Sequence, residues 1–267
     1  MTTAHLNRTH QCKPPMLNTS KHLHLLLLAI SFYTRIPINR PLNHDWLAAA
    51  SVYLPVIGWL VGAMTALVFY SAALLWPVPS AVLLSFSVGL LLTGALHEDG
   101  FADMCDGFGG GHDKAQILTI MQDPRLGSFG TIGLMVLLLL KISTLCALPA
   151  SQTPWILLAG HSLSRFPPLW LMHHYDYARI GASKSQQAVM RLSLGDLGFA
   201  AIFALLPLLL LPKFCAIALL PMALITLGLG RYFNRRIQGY TGDCLGASQQ
   251  ISETVFYLSL SALWTFI

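Results

Sequence analysis

The sequence contains few charged residues. Only 10% of its 267 residues are Asp, Glu, Lys or Arg, whereas a soluble domain carries about 25%. Hydrophobic residues make up 55% of the chain, and the mean hydropathy is +0.62. This composition argues against a soluble domain and indicates an integral membrane protein.

Paired cysteines and basic patches are also missing. The five cysteines form no CxxC pair, so neither a disulfide framework nor a zinc site is predicted. Basic residues are scattered without interleaved aromatics, so the net charge of +5 does not predict nucleic acid as a partner. No repeat or low-complexity linker divides the chain. We therefore expect one membrane domain over residues 22–267 behind an extension at residues 1–21, with Met16 as an alternative start.

Long apolar runs are present, and they predict an all-α polytopic bundle of about seven transmembrane helices. Uninterrupted runs exclude the alternating pattern of a barrel. The candidate spans are Leu47–Trp76, Pro79–Leu96, Gly127–Leu148, Pro154–Met172, Leu197–Leu211, Phe214–Gly230 and Ile251–Ile267. An earlier stretch, Leu23–Tyr33, is short for a span and predicts a short tilted or interfacial helix.

The acidic residues are concentrated on one side of this predicted topology. Threading the chain through the spans places all eleven Asp and Glu residues on or beside the side with the long loops. Most basic residues lie there too. The positive-inside rule therefore predicts that this face, the active one, is cytoplasmic.

The segment His97–Gly107 (HEDGFADMCDG) places four carboxylates after an apolar run. Asp99, Asp103 and Asp106 are spaced i, i+4, i+7 and would share one face of a helix. Like charges this close predict a cation between them, and oxygen ligands favour Mg²⁺, with Mn²⁺ as the alternative. Negative charge at the end of an apolar helix would oppose the macrodipole, so we prefer a metal site to a solvated helix terminus.

Two further polar segments are expected on the same face. Asp123 and Pro124 predict the N-cap and first residue of a helix, and Arg125 beside that helix N-terminus predicts a phosphate site. Thr241-Gly242-Asp243 predicts a turn before the last span. These residues together indicate a magnesium-dependent transferase acting on a phosphate ester.

Two cations lie inside or near predicted spans. Burial of Arg165 and Lys141 would be costly, so each is expected to have a functional partner. Lys141 could alternatively snorkel to the interface.

Five motifs, in order from about Leu25 onward, resemble the cobalamin synthase family, also called adenosylcobinamide-GDP ribazoletransferases. They are Phe32–Pro37, His97–Gly107, Ile120–Gly127, Ser164-Arg165 and Thr241–Ala247. The resemblance implies that the ribose 3′-hydroxyl of α-ribazole, or of its 5′-phosphate, attacks the cobinamide-side phosphorus of adenosylcobinamide-GDP. GMP would leave, and adenosylcobalamin, or its 5′-phosphate, would form.

The resemblance also implies a setting and partners. The enzyme would lie in the bacterial cytoplasmic (inner) membrane, in contact with membrane lipid. Its partners would be the corrinoid nucleotide, α-ribazole and other cobalamin-pathway enzymes. Three residues depart from the family pattern: Glu98 replaces a usually apolar residue, Pro124 replaces a common Ser, and Gln250 stands where an acidic residue is expected.

The resemblance assigns each candidate residue a role. Asp99, Asp103 and Asp106 would bind Mg²⁺, and Glu98 could add a ligand or point to the interface. Asp243 or Glu253 would add metal coordination or act as general base. The residues expected to bind substrate or stabilise phosphate charge are Arg35, His97, Asp123, Arg125, Gly127, Arg165 and Thr241.

Two alternative classes remain open. A CDP-alcohol phosphotransferase also uses aspartates at a membrane edge, but it would have an Ala-Arg pair where this chain has Phe108–Gly111. A cation transporter would need acidic residues at mid-membrane depth, and the predicted topology places none there.

Overall fold

The computed structural model describes residues 19–179 and 191–266. Met16 and residues 1–18 of the predicted extension lie outside these ranges. Within them the chain is helical, and its one β-type contact is an isolated parallel bridge between Tyr177 and Tyr240.

Twelve α-helices are described. In chain order they are α1 (Thr19–Tyr33), α2 (Leu47–Ala50), α3 (Leu54–Ala73), α4 (Val78–Thr93), α5 (Leu96–Gly110), α6 (Lys114–Ile120), α7 (Ser128–Ala147), α8 (Thr153–Leu163), α9 (Phe166–His174), α10 (Leu194–Leu205), α11 (Leu219–Ile237) and α12 (Gly242–Thr265). Short 3₁₀ helices cover His44–Trp46, Ser51–Tyr53, Leu206–Leu210 and Lys213–Ala218. The central helix is α12, which packs against α5, α7, α9 and α11.

The described helices confirm a polytopic helical membrane protein. Three are long and apolar enough to cross a membrane: His44–Ala73, Ser128–Ala147 and Lys213–Ile237. The bent pair α4 and α5 adds a fourth if it is counted as one span. Two of the seven predicted spans are divided into shorter helices, α8 with α9 and α10 with a 3₁₀ helix, and each second piece begins with proline in its first turn.

The helix α7 shows how the bundle meets lipid. Its outer face exposes large apolar side chains, including Ile132, Met135 and Leu139. Its inner face buries Lys141 and Thr144 completely or nearly so. Apolar side chains therefore face the membrane, while polar groups are collected inside, where other helices supply their hydrogen-bond partners.

The acidic segment does not end an apolar helix, as the sequence predicted, but begins a new one. Gly94 and Ala95 both adopt left-handed backbone angles (φ 65° and 56°), and α5 turns by 87° from α4. Glu98 and Asp99 thus lie in the first turn of α5, where the macrodipole favours negative charge. The dipole argument against a structural role was therefore wrong. The turn carries α5 out of the line of α4, so α5 does not continue the direction of that helix.

Arg35 packs against this break. Its backbone N–H donates to the carbonyl of Leu92 at 2.7 Å. Its guanidinium lies so close to Gly94 that a Cβ there would be 2.1 Å from Nε. Glycine is needed here for both space and backbone angle. Arg35 thus borders the start of the acidic helix.

Candidate active site

The crossing of α5 and α12 brings the predicted carboxylates together. Gly100 and Gly246 face each other across the crossing, and a Cβ on Gly100 would lie 3.1 Å from the Cα of Asp243. A Cβ on Gly246 would lie 3.2 Å from the carbonyl oxygen of His97. Since neither residue has a side chain, the two backbones approach closely, and Asp243 is held beside α5.

Asp99, Asp103 and Asp243 form the carboxylate cluster of this face. Asp99 is exposed and Asp103 is half-buried, while the Asp243 side chain is 17% exposed. Burial and the charges of Asp99, Asp243 and Asp106 raise the pKa of Asp103 to about 6. Burial also raises the pKa of Asp243. Burial is the largest cause of both shifts, and repulsion between the carboxylates adds to it.

Arg179 completes the cluster, although sequence reasoning did not identify it as a site residue. Its Nη2 donates to Asp243 Oδ2 at 3.1 Å, and its charge lowers the pKa of Asp103. Backbone hydrogen bonds hold its segment in place, from Ala178 N to the carbonyl of Tyr240 at 2.8 Å and from Tyr240 N to that of Asp176 at 3.0 Å. Arg179 and Asp243 are 64 residues apart, so no local pattern could have paired them.

Asp106 has a role that the spacing argument did not predict. Its Oδ2 accepts from the backbone N–H of Gly127 at 2.7 Å and its Oδ1 from that of Gly130 at 2.8 Å. Gly127 is the N-cap residue of α7, so the carboxylate caps this helix from a distant part of the chain. The helix N-terminus that we predicted to bind phosphate is therefore occupied by Asp106.

Asp123 and Arg125 lie on the surface turn before α7. The predicted helix start at Pro124 was wrong, since α7 begins at Ser128. Asp123 caps no helix but pairs with Arg125, whose Nη2 lies 2.6 Å from Oδ2. Hydrogen bonds from Arg125 lower the pKa of Asp123 to about 2. Both side chains are exposed enough to meet a substrate, but they do not contact the carboxylate cluster.

Thr241 and His97 support the site from inside. Thr241 is fully buried and is the N-cap of α12, where its Oγ1 accepts from Cys244 N at 3.3 Å and donates to Asp243 Oδ2 at 3.2 Å. His97 is buried, with its ring stacked on Tyr33 at a centroid distance of 6.3 Å. Thr241 thus holds Asp243 and the start of α12 in place, while His97 packs beneath α5 against Tyr33.

Glu253 lies elsewhere, in a buried polar cluster. It is 2% exposed, its Oε1 accepts from Lys141 Nζ at 2.9 Å, and its Oε2 accepts from Gln249 Nε2 at 2.7 Å. Ten residues separate it from Asp243 along α12, a rise of about 15 Å. The placement of Glu253 on the long-loop side was therefore wrong, and so was the statement that no carboxylate lies at mid-span. Lys141 does not snorkel, because its amine is bound inside.

Arg165 belongs to this buried cluster too. It is 2% exposed and lies at the break between α8 and α9, where its Nη1 donates to the carbonyl of His161 at 2.7 Å. Glu98 and Gln250, two of the three departures from the family pattern, contact each other here, since Gln250 Nε2 donates to Glu98 Oε1 at 2.7 Å. Glu98 thus turns toward Gln250 and a buried cavity that Arg165 also lines.

No preformed three-ligand metal centre exists in the described residues. In residues 19–179 and 191–266, no three His, Cys, Asp or Glu side chains lie close enough together to hold an ion. A magnesium ion often takes only one or two carboxylates, with water and substrate phosphates as its other ligands. Asp99 and Asp103 fit that arrangement, being neighbours at i, i+4 with accessible carboxylates.

The family model described as cobalamin-5-phosphate synthase matches residues 25–261, which is most of the chain. The chain belongs to this family. The match confirms the family predicted from the five ordered motifs and argues against both alternative classes.

Curated relatives of this synthase family align over nearly their whole length. The adenosylcobinamide-GDP ribazoletransferase of Ralstonia nicotianae is 41% identical over 247 residues, covering 90% of this chain and 95% of the relative. The relative of that name from Shewanella frigidimarina is 41% identical, covering 91% and 96%. The one from Leptospira interrogans is 38% identical, covering 88% and 94%. No solved structure matches the chain.

Proposed function

We propose that the chain is an adenosylcobinamide-GDP ribazoletransferase that acts at the cluster of Asp99, Asp103, Asp243 and Arg179. Relatives about 40% identical over most of their length bear that name. One observation carries the assignment of the site: three carboxylates and an arginine from three separate segments converge on one face. Clustered carboxylates with an arginine suit the transfer of a substituted phosphate group.

The proposed reaction replaces the phosphoanhydride link of the diphosphate with a phosphate ester link. The ribose 3′-oxygen of α-ribazole, or of its 5′-phosphate, forms a bond to the cobinamide-side phosphorus of adenosylcobinamide-GDP. The bond from that phosphorus to the bridging oxygen of GMP breaks, and GMP leaves with the electron pair. The hydroxyl proton passes to a base of the protein.

Asp243 is our choice for that base. Its carboxylate is largely buried, and burial raises its pKa toward the range in which a base works at neutral pH. Glu253 is unsuited, because it is paired with Lys141 about 15 Å away along α12. Arg179, now bonded to Asp243, has a half-exposed guanidinium that could bind a substrate phosphate through two parallel hydrogen bonds.

Magnesium is the proposed cofactor, with manganese as the alternative, and Asp99 and Asp103 would hold it. When bound, the ion would neutralise diphosphate charge and favour the departure of GMP. Asp106 is a weaker candidate ligand, since both of its oxygens already accept backbone hydrogen bonds.

The location follows from the charge distribution. The carboxylate cluster lies on the face that also collects most basic residues, which by the positive-inside rule is cytoplasmic. We therefore propose the bacterial inner membrane, with the corrinoid nucleotide and α-ribazole arriving from the cytoplasm. Other cobalamin-pathway enzymes could dock on the same face.

The test uses purified protein in lipid nanodiscs with adenosylcobinamide-GDP, α-ribazole and Mg²⁺, and follows GMP and cobalamin chromatographically. Asp243→Asn and Asp103→Asn should each lower turnover at least about 100-fold, the range of a lost general base or metal ligand. Asp45→Asn, on the exposed surface, is the matched control and should keep wild-type turnover.

Three outcomes would contradict the proposal. Product formation without any divalent cation would show that the reaction does not depend on magnesium. Full activity of both variants would show that this carboxylate cluster is not the active site. Absence of cobalamin with nucleotide release from CDP-diacylglycerol would favour the phospholipid enzyme instead.

A further inference from the structure

A small cavity lies inside the bundle, apart from the carboxylate cluster. It is bordered by α3, α4, α5, α8 and α12 and has a volume of about 20 Å³. That volume holds roughly one water molecule. Its walls are unusually polar for the interior of a membrane protein, because they include Glu98, Arg165, Glu253 and Tyr257.

Three of these residues carry buried atoms without a partner. Glu98 Oε2, Arg165 Nε and the Tyr257 hydroxyl are buried and make no hydrogen bond, and only one other such side-chain atom occurs in the described residues. Arg165 and Tyr257 are 2% and 0% exposed. A buried polar atom without a partner is costly, so three of them around one cavity point to a ligand.

The chemistry of the three atoms selects the ligand. Arg165 Nε–H can only donate, so it disfavours a metal cation in the cavity. The Glu98 carboxylate can only accept, so it disfavours chloride or another anion. We propose that the cavity binds one water molecule, which accepts from Arg165, donates to Glu98 and contacts the Tyr257 hydroxyl. This water would join Arg165 to its buried counter-charge, Glu98.

The wider cluster shows why that counter-charge is needed. Lys141 Nζ donates to Glu253 Oε1 at 2.9 Å and to Gln250 Oε1 at 2.5 Å. Gln250 in turn donates to Glu98 Oε1 at 2.7 Å. Lys141 and Arg165 balance Glu98 and Glu253, so the cluster is neutral when its histidines are uncharged. Without Glu98 it would hold one uncompensated positive charge.

A high-resolution crystal structure of the full protein, crystallised from a lipidic phase, tests the site directly. We expect a single density peak within hydrogen-bond distance of Glu98 Oε2, Arg165 Nε and the Tyr257 hydroxyl, without anomalous signal when bromide replaces chloride. Tyr257→Phe, which removes one of the three contacts, should weaken the peak. An empty cavity, or an anomalous bromide peak in it, would overturn the proposal.

A charge exchange tests the role of Glu98. Glu98→Gln should lower the thermal unfolding midpoint by on the order of 5–10 °C, whereas Asp45→Asn should not change it. The double variant Glu98→Gln with Gln250→Glu moves the carboxylate across the 2.7 Å hydrogen bond and should recover at least half of the loss.

Two results would refute this role. One is a Glu98→Gln protein as stable as wild type. The other is a double variant no more stable than the single one, because restoring the negative charge to the cluster would then not restore stability. If Glu98→Gln does not fold, the folding of the double variant decides the same question.

Discussion

Replacing Gly100 with alanine should impair turnover by separating two helices. The new Cβ would lie 3.1 Å from the Cα of Asp243 and 3.3 Å from its carbonyl oxygen. Both are backbone atoms and cannot rotate away, so α5 and α12 must move apart by a few tenths of an ångström. That movement would carry Asp243 away from Asp99 and Asp103.

The expected effect on stability is small. Overpacking costs about 1–3 kcal/mol, while alanine gains about 1 kcal/mol over glycine inside a helix. The net loss in the free energy of unfolding is therefore about 0–2 kcal/mol. The effect on activity should be larger in proportion. A 1 Å misplacement can cost about 100-fold, so a few tenths of an ångström should lower kcat roughly 3- to 10-fold.

Gly228→Ala is the matched control, because a Cβ on this glycine of α11 would meet nothing within 4 Å. It should gain up to about 1 kcal/mol in stability and keep the wild-type kcat. Both variants are measured for GMP release at saturating substrate and for thermal unfolding in nanodiscs. If Gly100→Ala and Gly228→Ala have the same kcat, the close crossing of α5 and α12 does not position Asp243 for the reaction. Our assignment of the active site to this crossing would then be wrong.

Three further predictions concern charges. Lys141→Met leaves Glu253 buried without its cation and should cost about 3–5 kcal/mol in unfolding free energy, whereas Lys114→Met, at a partly exposed surface position, should cost under about 0.5 kcal/mol; equal losses would refute the ion pair. The pKa of Asp103 is raised to about 6, so the folded state keeps a proton that the unfolded chain releases. Metal-free protein should therefore lose stability as the pH rises from about 4 to 6, and Asp103→Asn should reduce this dependence. Magnesium should bind more tightly as the pH rises through the same range. Arg179→Met removes a charge that lowers the pKa of Asp103, so the midpoint of this pH dependence should move to higher pH. An unchanged midpoint would show that the Arg179 charge does not affect Asp103.

The part of the site that the sequence predicted rests on local spacing. Asp99 and Asp103 are four residues apart, so any helix through them places both on one face. The prediction that Asp243 lies near Asp99 and Asp103 depended on the predicted topology and on the order of the family motifs. Arg179 could not be found, because its approach depends on a backbone bridge between two loops far apart in sequence.

The wrong expectations have physical causes. The break between α4 and α5 includes Ala95 at φ 56°, an angle that a non-glycine residue rarely adopts and that no pattern announces. Asp123 has the composition of an N-cap, but its carboxylate bonds to Arg125 instead. Glu253 looked interfacial by its position at the start of an apolar run. Only the approach of Lys141, more than a hundred residues away in the chain, makes its burial tolerable.

The four carboxylates of α5 divide into two kinds, and the division explains why only two of them remain accessible for the proposed magnesium ion. The outer two are tied into the bundle: Glu98 bonds to Gln250 on α12, and Asp106 caps α7. These bonds tie α5 to neighbouring helices on both sides of Asp99 and Asp103. Asp99 and Asp103 lie between these two attachment points, and their carboxylates are not used to attach α5 to the bundle. The residues that look like surplus metal ligands in the sequence are thus the ones that preorganise the remaining pair.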